Sequence, residues 1–353
     1  MNKINIAILF GGVSPEHEVS KISAINIINK LDPSHYNILP VYITLDNKWL
    51  LYEGNLKHLD SENIENMCHN ITIDIANGSF LRLSDEKFKT IKVDLALPII
   101  HGNQGEDGSI QGLLELARIK YIGCGILTSA ICMDKSFTKL IAKSIGLKTV
   151  PSFVYKKNEI DLDEAAKEAR SLGYPVFIKP SSTGSSIGTG IAKNKKEVLE
   201  AIEKAFLYSD KIIIEKFMKV REVECAIIED GEELIVSEPG EITTTADYYD
   251  YTSKYLEKTS EMVIPADVNE KVKEEVMAGA KALFKAVDGK GLSRVDFFVT
   301  EKDEVYFNEI NTLPGFTNVS MYPKLAEHMG FSQKELLKKL FNGGQIFENK
   351  SVE

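Results

Sequence analysis

Cysteine, tryptophan and long apolar runs are all scarce in this sequence. Its 353 residues include 4 cysteines and 1 tryptophan. Cys68, Cys124, Cys132 and Cys225 are scattered, with no CxxC pair among them. That spacing argues against a cysteine-ligated zinc site or a disulfide framework, and it fits a reducing cytoplasm. No apolar run approaches the roughly 18 residues that a membrane span needs. The opening stretch MNKINIAILFGG is short and ends in Gly-Gly, so it reads as a buried strand and not as a signal peptide. Positive charge is not in excess either: 42 Lys+Arg stand against 52 Asp+Glu, a formal net charge of −10. This balance disfavours general binding to nucleic acid or to an anionic membrane. Two phosphate-binding signatures are also missing. GxxxxGK[ST] does not occur, and the first strand–glycine–helix opening, GGVSPEHEVS, lacks the later glycines of GxGxxG. A nicotinamide-dependent dehydrogenase is disfavoured on that ground.

What the sequence does contain is an ordinary globular composition, 43% apolar and 27% charged, in a chain long enough for two or three domains. INIAILF (4–10) predicts a buried strand, broken by Gly11-Gly12, and Ser14-Pro15 reads as a cap and first helical residue. A helix follows to Leu31 with Val19, Ile22 and Ile25 at helical spacing, then a strand at 38–44. This alternation predicts a parallel sheet covered by helices. Residues 53–90 are polar and weakly patterned, and predict a looser excursion with a short hairpin. Further strands are predicted at 93–100, 175–180, 211–217, 222–229, 234–240, 294–300 and 304–311, with helices at 195–208 and 268–287. The best candidate boundary lies near 120–135.

Three constellations carry chemistry. Glu16 lies in the first turn after the first strand, at the sheet end where open α/β folds bind ligands. A carboxylate there suits a substrate ammonium better than a phosphate; the plain alternative is compensation of the helix dipole. The second constellation is a hairpin. RVDFF and FNEIN are joined through Glu301-Lys302-Asp303, so Asp296 falls opposite about residue 308, give or take one. Strand period two puts Glu309 and Asn311 on one face, and Arg294 joins Asp296 on its face. Two carboxylates and an amide oxygen are hard ligands, suited to Mg²⁺ and unsuited to zinc. An ordinary solvated face is the alternative, weakened by the apolar neighbours Val295, Phe297, Phe298, Val305, Phe307 and Ile310. The third is a phosphate site without a P-loop. Lys179 ends strand VFIK immediately before the Ser/Thr/Gly loop 181–190, where Ser185 and Ser186 are flanked by glycine, and Lys135 starts a helix. Such a loop can lay N–H groups and hydroxyls over phosphate oxygens. Glu215, Lys216, Phe217 and Met218 at a strand end can wall an adenine ring.

Taken in order, LFGGVSPEHEVS, HGNQGEDGSIQG, AICMDKS, FIKPSSTGSSIG, IIEKF, YDYTSKY, LSRVDFF and FNEINTLPGFTNVSMYP closely resemble the D-alanine–D-alanine ligases of the ATP-grasp superfamily, over essentially the whole chain. The resemblance implies an α/β fold of three units: a Rossmann-like substrate domain at 1–122, a central ATP-grasp unit at 123–219, and a C-terminal unit at 220–353 with the metal site and a lid at 243–260. It implies ATP as a substrate, Mg²⁺ or Mn²⁺ as cofactor with two ions bound, and a cytoplasmic homodimer that works on small molecules in peptidoglycan precursor synthesis. Residue by residue, Glu16 matches the glutamate holding the first substrate's ammonium, and His101 matches a histidine near that substrate. Lys135 and Lys179 match the phosphate lysines, with Ser186 in the loop beside them. Ser185 matches the serine linking Glu16 to the lid tyrosine, Tyr255, and Lys254 matches the lid lysine reaching the γ-phosphate. Glu215 and the backbone of Lys216, Phe217 and Met218 match the adenine hinge, and Glu222 the ribose-binding acid. Asp296, Glu309 and Asn311 match the metal ligands, Arg294 and Gly315 the oxyanion stabilisers, and Ser320 the residue binding the second substrate's carboxylate.

Met321 bears on the second substrate. Related resistance enzymes that join D-serine or D-lactate commonly carry arginine after the serine, and an apolar residue suits a methyl group. The expected acceptor is therefore D-alanine. AICMDKS points the other way, toward the resistance branch. A different ATP-grasp carboxylate–amine ligase and a non-catalytic binding protein are the remaining alternatives. The latter has no need for Asp296, Glu309 and Asn311 together with Lys135 and Lys179.

Overall fold

The computed structural model describes residues 3–61, 63–84, 87–244, 260–343 and 345–346. Its strands form three sheets. The first has a parallel core of β1 (Ile4–Gly11), β2 (Tyr36–Ile43), β7 (Leu95–Ile99) and β8 (Tyr121–Ile122). Ile6, Ile8 and Phe10 pack on one side and Ala7 and Leu9 on the other, so the apolar run of β1 is buried on both faces. The sheet is mixed and not wholly parallel. Antiparallel β3 (Trp49–Tyr52), β4 (Cys68–Asp74), β5 (Ser79–Ser84) and β6 (Lys87–Lys92) extend it beyond β2, and β19 (Gln345–Ile346) pairs antiparallel with β8. Residues 68–84 and 87–92 are thus more regular than their sequence suggests. Phe80 stands opposite both Ile73 and Ile91, a cross-strand apolar row set among Lys, Asp and Ser that hides it from a composition reading.

Helix α1 (His17–Lys30) begins later than Ser14-Pro15 predicts. Ser14 Oγ accepts the Glu16 N–H at 3.0 Å, which closes a tight turn and makes Glu16 the N-cap residue. The turn is held to the sheet by Ser20, whose hydroxyl accepts the Gly11 N–H at 2.8 Å and donates to the Ile99 carbonyl. Gly11 needs its φ of +91°, since a Cβ there would lie 2.2 Å from the Ile43 carbonyl. Ile22, read as a core position, is 55% exposed.

The second sheet is antiparallel, in the order β11 (Gly190–Ala192), β10 (Val176–Pro180), β12 (Lys211–Lys216), β9 (Ser152–Lys156). Val176, Ile178, Ile212 and Ile214 face helices α5 (Leu162–Leu172) and α6 (Lys195–Ala205). Period two sends Phe177, Lys179 and Glu215 to the opposite face. The third sheet runs β16 (Ser260–Val263), β15 (Gly240–Thr244), β13 (Val220–Asp230), β17 (Leu292–Thr300), β18 (Val305–Asn311), with β14 (Glu233–Val236) also on β13. Val223, Cys225 and Ile227 of β13 and Val295, Phe297 and Val299 of β17 pack with Val276, Ala280 and Leu283 of α7 (Glu270–Ala286). Their neighbours Glu222, Glu224, Asp296 and Phe298 line the other face. The single strand expected at 234–240 is two, β14 and β15, interrupted at Ser237–Pro239. The remaining helices among the described residues are α2 (Ser109–Leu116), α3 (Ile126–Met133), α4 (Lys135–Ser144), α8 (Met321–His328) and α9 (Gln333–Gly343). None of the described helices is long and apolar enough to cross a membrane.

Candidate active site

The inward faces of the second and third sheets enclose a cavity of about 1060 Å³. Its lining includes Lys135, Lys179, Ser185, Ser186, Glu215, Lys216, Phe217, Met218, Glu222, Asp296 and Glu309. These residues, separated by up to 174 positions in the sequence, therefore meet in one place. Lys254 and Tyr255, with most of the expected lid at 243–260, lie outside the described residues.

The acidic wall is built by register. Glu224 pairs across with Asp296, and Asp296 with Glu309, so three carboxylates form a row over β13, β17 and β18. The hairpin expectation of a partner near 308 is met at Glu309, beside a bulge after Asp296. Like charges in such a row need cations. Arg294 supplies one: Nε donates to Asp296 Oδ1 at 2.8 Å and Nη2 to Oδ2 at 2.7 Å, and Nε also lies 2.8 Å from Glu224 Oε2. Burial opposes the guanidinium charge, but Asp296 and Glu224 outweigh it and raise the Arg294 pKa. Lys135 supplies the other, 3.1 Å from Glu309 Oε2, while donating to the Thr183 carbonyl at 2.6 Å. Asn311 Nδ2 donates to Asp296 Oδ2 at 3.0 Å, which leaves its carbonyl oxygen for another partner. Among the described residues no three His, Cys, Asp or Glu side chains converge as a ready metal cage. Two carboxylates and one amide oxygen nevertheless fit Mg²⁺ in kind, because that ion takes few protein ligands and completes its shell with phosphate oxygens and water.

Lys135 opens α4, an unfavourable place for a cation on dipole grounds. Asp134 offsets it. Its carboxylate accepts the N–H of Ser136 at 2.9 Å, the Ser181 hydroxyl and the Lys211 ammonium at 2.5 Å. The Lys135 N–H in turn donates to the Ser181 carbonyl at 2.9 Å, tying the helix start to the serine loop. Within that loop Ser185 and Ser186 both adopt positive φ, 52° and 56°, a conformation ordinary residues seldom hold.

Glu16 faces the same loop. Ser185 Oγ donates to Glu16 Oε1 at 2.5 Å, and the carboxylate makes no capping bond to its own helix. A Cβ at Gly102 would stand 2.8 Å from Glu16 Oε2 and one at Gly184 3.0 Å, so two glycines from separate loops make the room.

Four of the expected site residues have protein partners that the sequence does not show. Glu215 is more than a hinge residue: its carboxylate lies 2.6 Å from Lys139 and 2.9 Å from Lys179. His101 is committed to the protein. Nδ1–H donates to the Leu313 carbonyl at 3.0 Å, and Nε2 accepts from Ser23 at 3.2 Å. Burial lowers its pKa, which suits this neutral ring. Ser320 Oγ accepts the Thr317 N–H at 3.0 Å and lies 2.7 Å from the Thr317 hydroxyl, and a Cβ on Gly315 would come within 2.9 Å of it. Met321 turns away from the site; it is 2% exposed and packs in the core beneath Gly240. The backbone bend that presents Ser320 sends the next side chain inward.

Sequence reasoning missed Glu106, Lys139 and Glu224. Glu224 had a signal, since it sits two residues from Glu222 and so falls on the same strand face. Glu106 accepts the N–H of Gly102 at 2.8 Å and of Leu313 at 3.1 Å, so Leu313 is held at both backbone groups by one loop. Burial, reinforced by the charge of Glu16, pushes the Glu106 carboxyl up to about 8. Its folded value lies above its unfolded one, so its stabilising contribution is whole in acid and is lost as pH rises through about 8. Wild-type protein should therefore lose stability from about pH 6 to pH 8 relative to Glu106→Gln, by at most about 1.4 kcal/mol per pH unit. Urea unfolding of both proteins at the two pH values measures this. A pH-independent difference would show that Glu106 does not change protonation there.

The comparisons with known proteins agree with this geometry. The family model described as D-ala D-ala ligase N-terminus matches residues 5–124, and the one described as D-ala D-ala ligase C-terminus matches 141–342. The chain belongs to the D-alanine–D-alanine ligase family. It is 43% identical to a D-alanine–D-alanine ligase of Caldicellulosiruptor bescii, covering 97% of this chain and 95% of the relative. A D-alanine–D-alanine ligase of Acetivibrio thermocellus is 41% identical, covering 97% and 96%. Among solved structures, the D-Ala:D-Ser ligase VanG of Enterococcus faecalis superposes with a TM-score of 0.87 at 35% identity, covering 96% and 99%. The D-alanine–D-alanine ligase of Coxiella burnetii gives 0.85 at 33% identity, covering 98% and 94%. The fold is accordingly the α/β ATP-grasp fold, and the family's members are ATP-dependent ligases that generally use divalent metals.

Proposed function

We propose that this protein joins two D-alanines at the expense of ATP, through a D-alanyl phosphate, to supply the dipeptide for peptidoglycan. One juxtaposition carries the reading: Lys135 and Lys179 line one cavity of nucleotide size together with Asp296 and Glu309, with the Glu16–Ser185 pair at the serine loop. In this reading residues 1–122 carry the first substrate, and units 123–219 and 220–353 grip ATP between them. Glu215 to Met218 receive the adenine, Glu222 the ribose, and Lys135, Lys179, Ser186 and the lid's Lys254 the phosphates. Asp296, Glu309 and Asn311 hold Mg²⁺ or Mn²⁺, two ions in this reading, whose charge screens the triphosphate against an incoming anion.

Glu16 binds the ammonium of the first D-alanine, oriented by Ser185, which also reaches the lid's Tyr255. A carboxylate oxygen of that D-alanine attacks the γ-phosphorus, the bond to the β-phosphate oxygen breaks, and ADP leaves. Positioning and charge do most of this work. The deprotonated amine of the second D-alanine then attacks the acyl carbon, and the C–O bond to phosphate breaks. Arg294 and the Gly315 N–H stabilise the intervening oxyanion. Ser320 holds the acceptor's carboxylate, and His101 keeps the Leu313 segment in place. The reading includes a homodimer, and its four free cysteines fit a reducing cytoplasm.

D-serine is the second reading for the acceptor, favoured by the likeness to VanG and no longer opposed by Met321. Purified protein with ATP, Mg²⁺ and each acceptor tests both. D-alanine-dependent ADP release with D-alanyl-D-alanine as the main product is expected. No D-alanine-dependent ADP release would overturn the ligase reading; D-serine used at least as efficiently would overturn the acceptor alone.

A further inference from the structure

Behind the cavity wall stands a charge that the reaction above does not use. Lys139 lies one turn after Lys135 on α4, on the same helix face. Its side chain is 4% exposed and does not line the cavity. Its ammonium sits 2.6 Å from Glu215 Oε1, while Lys179, which does line the cavity, sits 2.9 Å from Glu215 Oε2. Lys179 also reaches Asn308 Oδ1, at 3.5 Å. Burial alone would raise the Glu215 carboxyl; Lys139 and then Lys179 overcome it and bring it down to about 2.

One buried carboxylate needs one cation. Here it has two, and a buried charge in excess is costly unless something compensates it. Lys179 alone could neutralise Glu215, but the cavity would then present a neutral pair. With Lys139 behind, the cluster carries a net positive charge, and that charge is accessible only on the Lys179 side. Resting on the nucleotide reading of the cavity, we infer that Lys139 is a positioning residue: by neutralising Glu215 from behind, it frees the Lys179 ammonium for a phosphate chain. The sequence cannot show this, because the carboxylate that defines the role lies 76 residues away on β12.

Calorimetric titration of Mg-ADP into the purified full-length protein, without D-alanine, tests the inference. Lys139→Met keeps the volume and removes the charge; it should weaken ADP binding at least about tenfold. The double variant Lys139→Met/Glu215→Gln removes the carboxylate as well and returns the cluster's net charge to that of the wild type. Compared with Glu215→Gln alone, so that any adenine contact of Glu215 cancels, the double variant should bind within about threefold, whereas Lys139→Met loses at least about tenfold against the wild type. A purely structural role for Lys139 predicts the same loss in both backgrounds. Folded Lys139→Met that binds ADP like the wild type, or an equal loss in both backgrounds, would overturn the inference. If Lys139→Met does not fold, Lys139→Gln takes its place against the same outcomes. A wild-type protein that binds no nucleotide would instead defeat the reading of the cavity itself.

Discussion

Glu309→Gln should reduce D-alanine-dependent ADP formation by at least about a thousandfold, equivalent to about 4 kcal/mol of transition-state stabilisation. The substitution keeps the shape and one oxygen of the side chain but removes its charge. Glu309 has two positions to serve. It faces Asp296 across the bulged hairpin, and it holds the Lys135 ammonium at 3.1 Å. A neutral amide holds a hard dication less strongly than a carboxylate does, and it would release Lys135 from one of its two anchors, leaving the Thr183 carbonyl. The effect should fall on turnover more than on folding, since Glu309 stands at the cavity surface. A coupled ADP assay on protein with wild-type circular dichroism measures it. Turnover within about threefold of the wild type would remove Glu309 from phosphoryl transfer.

Arg294→Met should show the opposite balance, a large loss of stability as well as of activity. The guanidinium is the shared counterion of Glu224 and Asp296, two buried carboxylates directly opposite each other on adjacent strands. Removing the cation takes from both the charge that holds them together in a low-dielectric wall, and breaking a buried ion pair in this way costs about 3–5 kcal/mol. Arg294→Lys should rescue only part of it, because an ammonium cannot form the two-pronged contact that Nε and Nη2 make with Asp296. Urea unfolding gives the stability change. Activity, measured where each variant is fully folded, should fall a further roughly hundredfold or more if Arg294 has the oxyanion role proposed for it. Stability within about 1 kcal/mol of wild type for Arg294→Met would show that the carboxylate row does not depend on this cation.

Both residues could be placed beforehand. The hairpin is a local structure: strand period and a short connection place Asp296, Glu309, Asn311 and Arg294 together with no knowledge of the rest of the fold. The same holds for Lys179 before its serine loop and for the alternation that turns Glu222 into the cavity. Glu224 obeyed the same period and was passed over because its strand otherwise reads as core. The lid residues Lys254 and Tyr255 lie outside the described residues, and their role rests on resemblance.

Other features have no local signature. Met321 read as a substrate-facing residue from its place in a motif, whereas the turn into α8 buries it under Gly240. His101 read as a ligand contact, whereas its two ring nitrogens join Ser23 of α1 to Leu313, 212 residues away.

By itself, then, the sequence determined which residues could bear chemistry and on which face of each strand they fall, because side-chain direction in a strand follows from the next residue or two. Tertiary structure alone decided which charges are paired. Lys139 and Lys179 share Glu215, Ser185 reaches Glu16 across 169 residues, and Glu106 grasps Leu313. Such pairings form only where distant segments cross, and the free energy of a buried charge depends on what stands within a few ångströms of it, not on its neighbours along the chain.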